Sequence, residues 1–167
     1  QVIDDVITSA FRSAGQRCSA LRVLVLQREI ADKTLTILEG AMHELIVGDP
    51  RRLVTDVGPV IDRRAKEAID EHLVHLDKTA TLRAITPVDH TKYTGHFIAP
   101  QVWEIDALAD LTHEVFGPVL HVIRYDTNEL PQIFSEVRAS EFALTMGVHS
   151  RLRGLHDRIR DEALVGN

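Results

Sequence analysis

Two apolar runs, residues 21–27 (LRVLVLQ) and 119–125 (VLHVIRY), do most to constrain what this chain can fold into. The first is rich in branched apolar residues and predicts a buried strand, as in a parallel sheet; the second predicts another strong strand. Helical periodicities surround them. Ile3, Val6, Ile7, Ala10, Phe11 and Ala14 fall on one helical face, with Gly15 predicted to end that helix. A second helix is predicted over about 29–45, broken by Gly48-Asp49-Pro50, and a third over 62–80 with Asp62 as its N-cap. Further helices are expected at 128–139 and 152–162. Strands are expected at 81–86, at 142–149 and at the last residues. Residues 87–95 read as turn-rich and 97–105 as extended. Strands alternating with helices give an α/β class: one domain over 1–167, with a mainly parallel sheet flanked by helices.

A chain of 167 residues can bury roughly 70% of the surface its unfolded form exposes. Its formal charge of −6 argues against nucleic acid as a partner, because no net basic field collects phosphates. No apolar run approaches the ~20 residues of a membrane-spanning helix, and the first residues lack a secretory pattern. One cysteine allows no internal disulfide, which favours a cytoplasmic reading. The chain begins at Gln1 in mid-pattern and stops at 164–167 (LVGN) as a strand is starting. This predicts a segment of a larger polypeptide.

The sharpest local feature is that single cysteine, Cys18, between a helix end and a buried strand. Loops at strand ends carry function in α/β sheets. Arg17 and Arg22 flank it, and nearby positive charge favours the nucleophilic thiolate. The competing reading makes Cys18 a small buried hydrophobe, the commoner fate of a free cysteine.

The pattern Phe-x-x-x-Gly-Gln-x-Cys-x-Ala, filled by Phe11, Gly15, Gln16, Cys18 and Ala20, resembles the cysteine signature of the aldehyde dehydrogenase superfamily. Glu114-Val115-Phe116-Gly117-Pro118 resembles that family's Glu-x-Phe-Gly-Pro segment. Gly58-Pro59-Val60-Ile61 and residues 95–100 (GHFIAP) sit where relatives have similar pieces. The resemblance implies that Cys18 attacks an aldehyde to give a thiohemiacetal. Hydride then passes to NAD, and water hydrolyses the thioester that remains. The backbone N–H of Cys18 would help stabilise the oxyanion. Glu114 would accept hydrogen bonds from the nicotinamide ribose, and Phe116 would pack near the nicotinamide. NADP stays open.

Residues 9–11, 15–24, 56–62, 113–122 and 147–151 are more specifically similar to the branch that oxidises L-glutamate γ-semialdehyde, the open form of pyrroline-5-carboxylate. In bacteria this activity is joined to a flavin-dependent proline dehydrogenase, so any FAD would belong to a half outside this chain. In that reading Arg17 and Ser19 are substrate-binding residues, Ser19 hydrogen-bonding a substrate carboxylate. Ser19 could equally serve its own loop backbone. The family's general-base glutamate, its oxyanion asparagine and its adenine-binding domain precede the cysteine, and nothing here matches them. No Gly-x-Gly-x-x-Gly is present. The isolated chain is therefore expected to be inactive, and the parent to be a homo-oligomer.

Three other readings compete. One is a different semialdehyde or aldehyde dehydrogenase of the same family. Another is a cysteine hydrolase pairing Cys18 with one of nine histidines. The third is a non-catalytic assembly module. No metal site is expected: His72 and His75, three apart on a helix, read as a solvated face, and His121 as a core or sheet-face residue.

Overall fold

The computed structural model describes residues 1–88, 94–140, 142 and 144–166. Helix α1 (Val2–Phe11) leads through a 3-10 turn (Arg12–Gly15) and the cysteine loop into strand β1 (Val23–Gln27). Helix α2 (Arg28–His43) follows at once. It buries Ala31, Leu35, Leu38 and Met42, a stripe at helical spacing. Helix α3 (Arg63–Thr79) begins as expected, because the Asp62 carboxylate accepts the Ala65 N–H at 2.7 Å. Then come β2 (Thr81–Ile85), β3 (Gln101–Glu104), β4 (Val119–Tyr125), α4 (Leu130–Ser140) and α5 (Arg153–Ala163).

The four strands form one sheet in the order β1-β4-β3-β2. β4 is parallel to both β1 and β3, with His121 level with Val23 on one side and Trp103 on the other. Only β2 runs antiparallel, against β3, with a register shift between Leu82 and Ala84. The sheet is thus mainly parallel with flanking helices, as its alternating elements predict. Val119 through Ile123 are buried without interruption, as a central parallel strand requires. β1 lies at one end of the sheet, and its outer edge pairs with no strand among the described residues.

One core cluster joins α1, α2, α3 and the sheet. A smaller one, built on Leu130, Phe134 and Ala163, binds α4 to α5. Both ends of the second cluster depart from expectation. Residues 142 and 144–149 form no strand. Phe142 and Leu144 are exposed there with no neighbouring strand to satisfy an extended backbone. Residues 164–166 form none either, since Leu164 takes a left-handed conformation (φ 52°) that breaks extension directly after α5. Most of the turn-rich stretch at 87–95 lies outside the described residues.

Because β1, β3 and β4 are parallel, the segments entering them gather at one edge of the sheet: 16–22, 97–100 and 114–118. This is the amino edge, opposite to the carboxyl edge where ligands of open parallel sheets usually sit. The cysteine loop, residues 97–100 and the Glu114–Pro118 segment therefore converge on one rim.

Candidate active site

The first expected helix ends four residues early. Phe11 is its last residue, Arg12 turns extended (φ −61°, ψ 148°), and Ser13, Ala14 and Gly15 are all left-handed, with φ of 57°, 51° and 64°. Two of these are not glycine, at a cost of roughly 1–2 kcal/mol each. This reversal lets the following loop fold back over the end of α1. There it supplies donors to helix carbonyls that have no partner within the helix: Leu21 N–H to Ser9 O at 3.2 Å and the Arg17 guanidinium to Thr8 O at 3.3 Å.

Gly15 has a second reason to be glycine. A Cβ there would lie 2.1 Å from the Gly117 carbonyl oxygen and 2.9 Å from the Ala10 oxygen. The glycines of the two motifs thus touch backbone to backbone. Gln16 ties the loop down on another side, accepting the Ile61 N–H through Oε1 at 2.8 Å. A cleft of about 440 Å³ opens there, walled by Ser13, Gln16, Pro50, Asp56, Gly58 and Ile61.

Cys18 sits at the tip of a turn closed by Ala20 N–H to Arg17 O at 3.1 Å, and it is exposed. That removes the reading of a small buried hydrophobe. Ser19 is exposed beside it. Arg17 is exposed as well, with its guanidinium engaged by α1.

The residue that organises the cluster is Arg22. Its Nη1 donates to Gly15 O at 2.5 Å and its Nη2 to Arg17 O at 2.9 Å, so a guanidinium from the residue just after the loop grips the arm that leads into Cys18. Its Nε stands 3.4 Å from Glu114 Oε1, an ion pair without hydrogen-bond geometry. The guanidinium carbon lies 4.7 Å from the Phe116 ring centre, a cation–π contact. Burial pulls the Arg22 pKa below the usual guanidinium value, while Glu114 and Cys18 act against that fall. Arg22 stood out in the sequence only as a charge near the thiol. Its grip on Glu114 and Phe116, some ninety residues away, has no local signature. Glu114 is half-buried and Phe116 is 44% exposed, so both present surface beside the cysteine loop.

Behind the rim lies a buried histidine pair. His72 Nε2 and His121 Nε2 are 2.8 Å apart, and His121 Nδ1 is 2.9 Å from Arg22 O. His72 is not on a solvated face: it lies on the buried stripe of α3 with Ile69 and Leu76, while His75 points outward and is exposed. His121 is a core residue, as expected. Burial pushes both pKa values down to about 4; His121, His113 and His75 act the same way on His72, whereas on His121 the bond to Arg22 O works against the fall and the Arg22 charge adds to it. Among the described residues no three His, Cys, Asp or Glu side chains could share a metal. None of their histidine hydrogen bonds reaches Cys18, which leaves a cysteine hydrolase without its base. Nor is any described helix long and apolar enough to cross a membrane.

The model of the aldehyde dehydrogenase family matches residues 1–167. The bifunctional protein PutA of Escherichia coli (strain K12) is 48% identical over 172 residues, covering all of this chain and 13% of that protein. A crystal structure of a mutant proline utilization A from Bradyrhizobium japonicum superposes with a TM-score of 0.94 at 44% identity, covering 99% of this chain and 17% of that one. A 1-pyrroline-5-carboxylate dehydrogenase from Thermus with bound NAD superposes at 0.87 with 28% identity, covering 99% and 32%. The chain thus spans a minor part of the relatives it matches.

Two outcomes follow from this geometry. Gly15→Ala combines a left-handed backbone with a clash against Gly117 O, and should cost about 3 kcal/mol or more in urea denaturation. The histidine pair stays neutral in the folded state, whereas unfolded histidines take up protons below about pH 6.5. Stability should therefore fall as pH drops from about 6.5 to about 4, by up to about 3 kcal/mol for one excluded proton. Unfolding curves at pH 7 and 4.5, beside a His121→Asn variant with a shallower dependence, would check this.

Proposed function

The chain belongs to the aldehyde dehydrogenase family, and we propose that it is the nucleophile-bearing domain of a larger NAD-dependent enzyme oxidising L-glutamate γ-semialdehyde to glutamate. What supports this reading is the cluster around Arg22. One buried guanidinium holds the cysteine loop by two carbonyls and faces both Glu114 and Phe116.

Cys18 is the nucleophile. Its thiolate adds to the aldehyde carbon to form a thiohemiacetal, and water later hydrolyses the thioester to the acid. The thiol is exposed at the tip of a turn whose backbone is tied to α1 and to Arg22 and whose Gln16 side chain is tied to Ile61, so it is presented from a rigid base. The Cys18 N–H serves the developing oxyanion. Arg17 and Ser19 contact the substrate's charged end; for Arg17 this means releasing Thr8 O.

The residues present fit NAD. Glu114 has one oxygen beside Arg22 and is still partly open, so it can accept hydrogen bonds from ribose hydroxyls. The exposed Phe116 ring, backed on one side by Arg22, offers a flat face to a nicotinamide. When bound, the cofactor supplies the hydride acceptor. NADP is not separated from NAD by any residue here. The γ-semialdehyde is favoured over other aldehydes by the likeness to PutA proteins and to pyrroline-5-carboxylate dehydrogenases. FAD would belong to a proline dehydrogenase half elsewhere in the polypeptide, and the full-length protein is read as a cytoplasmic homo-oligomer acting on a small-molecule aldehyde.

The test is NADH formation by the full-length protein with pyrroline-5-carboxylate. Cys18→Ala should lower turnover by on the order of a thousandfold or more. Unchanged turnover in that variant would overturn the role of Cys18. Activity only on simpler aldehydes would keep Cys18 and discard the substrate.

A further inference from the structure

We propose that His121 and His72 are positioning residues of this site, whose hydrogen-bond chain fixes Arg22 and thereby the setting of the Cys18 loop against Glu114. The inference rests on the reading of Cys18 as nucleophile, but its direct readout does not.

The direction of the chain follows from elementary bonding. A carbonyl oxygen carries no proton, so His121 Nδ1 must be the donor to Arg22 O at 2.9 Å. A neutral imidazole then has a lone pair on Nε2, and the partner at 2.8 Å, His72 Nε2, must donate to it. One backbone carbonyl at the rim thus dictates the tautomer of two buried rings. A further proton on His121 would set two N–H groups face to face at that distance as long as His72 keeps its own proton on Nε2. Burial of both rings opposes such a proton, as does the Arg22 cation near His121.

Filling space does not explain this arrangement, since two apolar side chains would do so without burying four ring nitrogens. The strand ladder already satisfies Arg22 O once, through the His121 backbone N–H at 2.9 Å. The ring adds a second bond to the same oxygen from the direction of α3, and so fixes where the carbonyl points. α3 also reaches the other half of the site. The His72 ring meets His113, the neighbour of Glu114, edge-on at 5.7 Å, and Ile69 lies against Gly117. A single helix therefore supports both segments whose mutual placement the site depends on, one of them through Arg22. Displacing Arg22 moves Gly15 O, Arg17 O, Glu114 and Phe116 together, and shifts of this size are costly in a preorganised site.

The decisive pair is His121→Leu and His121→Asn in the full-length protein, because the asparagine amide nitrogen occupies the place of Nδ1 and can still donate to Arg22 O. The first readout is alkylation of Cys18 by iodoacetamide, which needs neither substrate nor NAD; the second is kcat and the KM for NAD. The leucine variant should slow alkylation and raise that KM by about tenfold each, and the asparagine variant should restore both to within about threefold of the original. Alkylation of the leucine variant at the original rate overturns the proposal, as do equal losses in both variants. If neither folds, His72→Leu and His72→Gln decide in the same way, since the glutamine amide can replace His72 Nε2–H. Alkylation changed as expected in a protein that oxidises no aldehyde upholds the positioning chain and overturns the proposed function. Normal oxidation with unaltered alkylation overturns the chain alone.

Discussion

A single guanidinium holds the working rim together. Arg22 stands one residue before β1, and its planar fork reaches back to two carbonyls on the arm that leads into Cys18. The third nitrogen faces a carboxylate and the flat surface lies near a ring from a segment about ninety residues downstream. A lysine could supply the charge but not four contacts in fixed relative directions. Burying such a cation is costly, which is visible in the depressed arginine pKa. The cost is offset by placing every neighbour on the electron-rich side: two carbonyls, one carboxylate and a π face.

Around that clamp, backbone meets backbone. The left-handed run at Ser13, Ala14 and Gly15 bends the chain away from the helix axis, and the missing Cβ of Gly15 lets the Gly117 carbonyl come in. Gly117 in turn sits over the Ile69 side chain of α3. The glycines of both motifs are thus answered by a shared contact, and neither requirement can be stated from one segment alone. The parallel strands do the gathering, bringing three entry segments to one edge where a loop of seven residues can be gripped from several sides.

Much of this was legible in the sequence, and the rest failed for local reasons. The run at 119–125 read correctly as a strand because a central parallel strand leaves no polar alternation to confuse it, whereas 21–27, read as buried, gives an end strand in which only Leu26 is fully buried. Asp62 declared its helix through one side-chain bond. The pattern singled out Cys18, Glu114 and Phe116, and all three lie around Arg22. The early end of α1 was not readable, since Ala14 continues the apolar spacing perfectly and is buried, only not in a helix. The antiparallel sense of β2 depends on which neighbour it meets. Apolar residues at 142–149 looked like a strand because periodicity cannot report whether a partner strand exists. His72 was misread because a histidine on a charged helix says nothing about the imidazole waiting on β4. What escaped was in each case a contact between residues far apart in sequence.

The free side of β1 has a consequence for handling the chain. Its residues, Val-Leu-Val-Leu-Gln, carry no charge, no proline and no bulge, and one row of their backbone amides and carbonyls has no strand beside it among the described residues. Such a row is a template for any extended segment that arrives, including the same strand of another molecule. Cut away from whatever lies beside it in a longer polypeptide, this domain would be prone to associate edge to edge. Concentrated preparations would then lose material to β-rich aggregates well before the fold itself gave way.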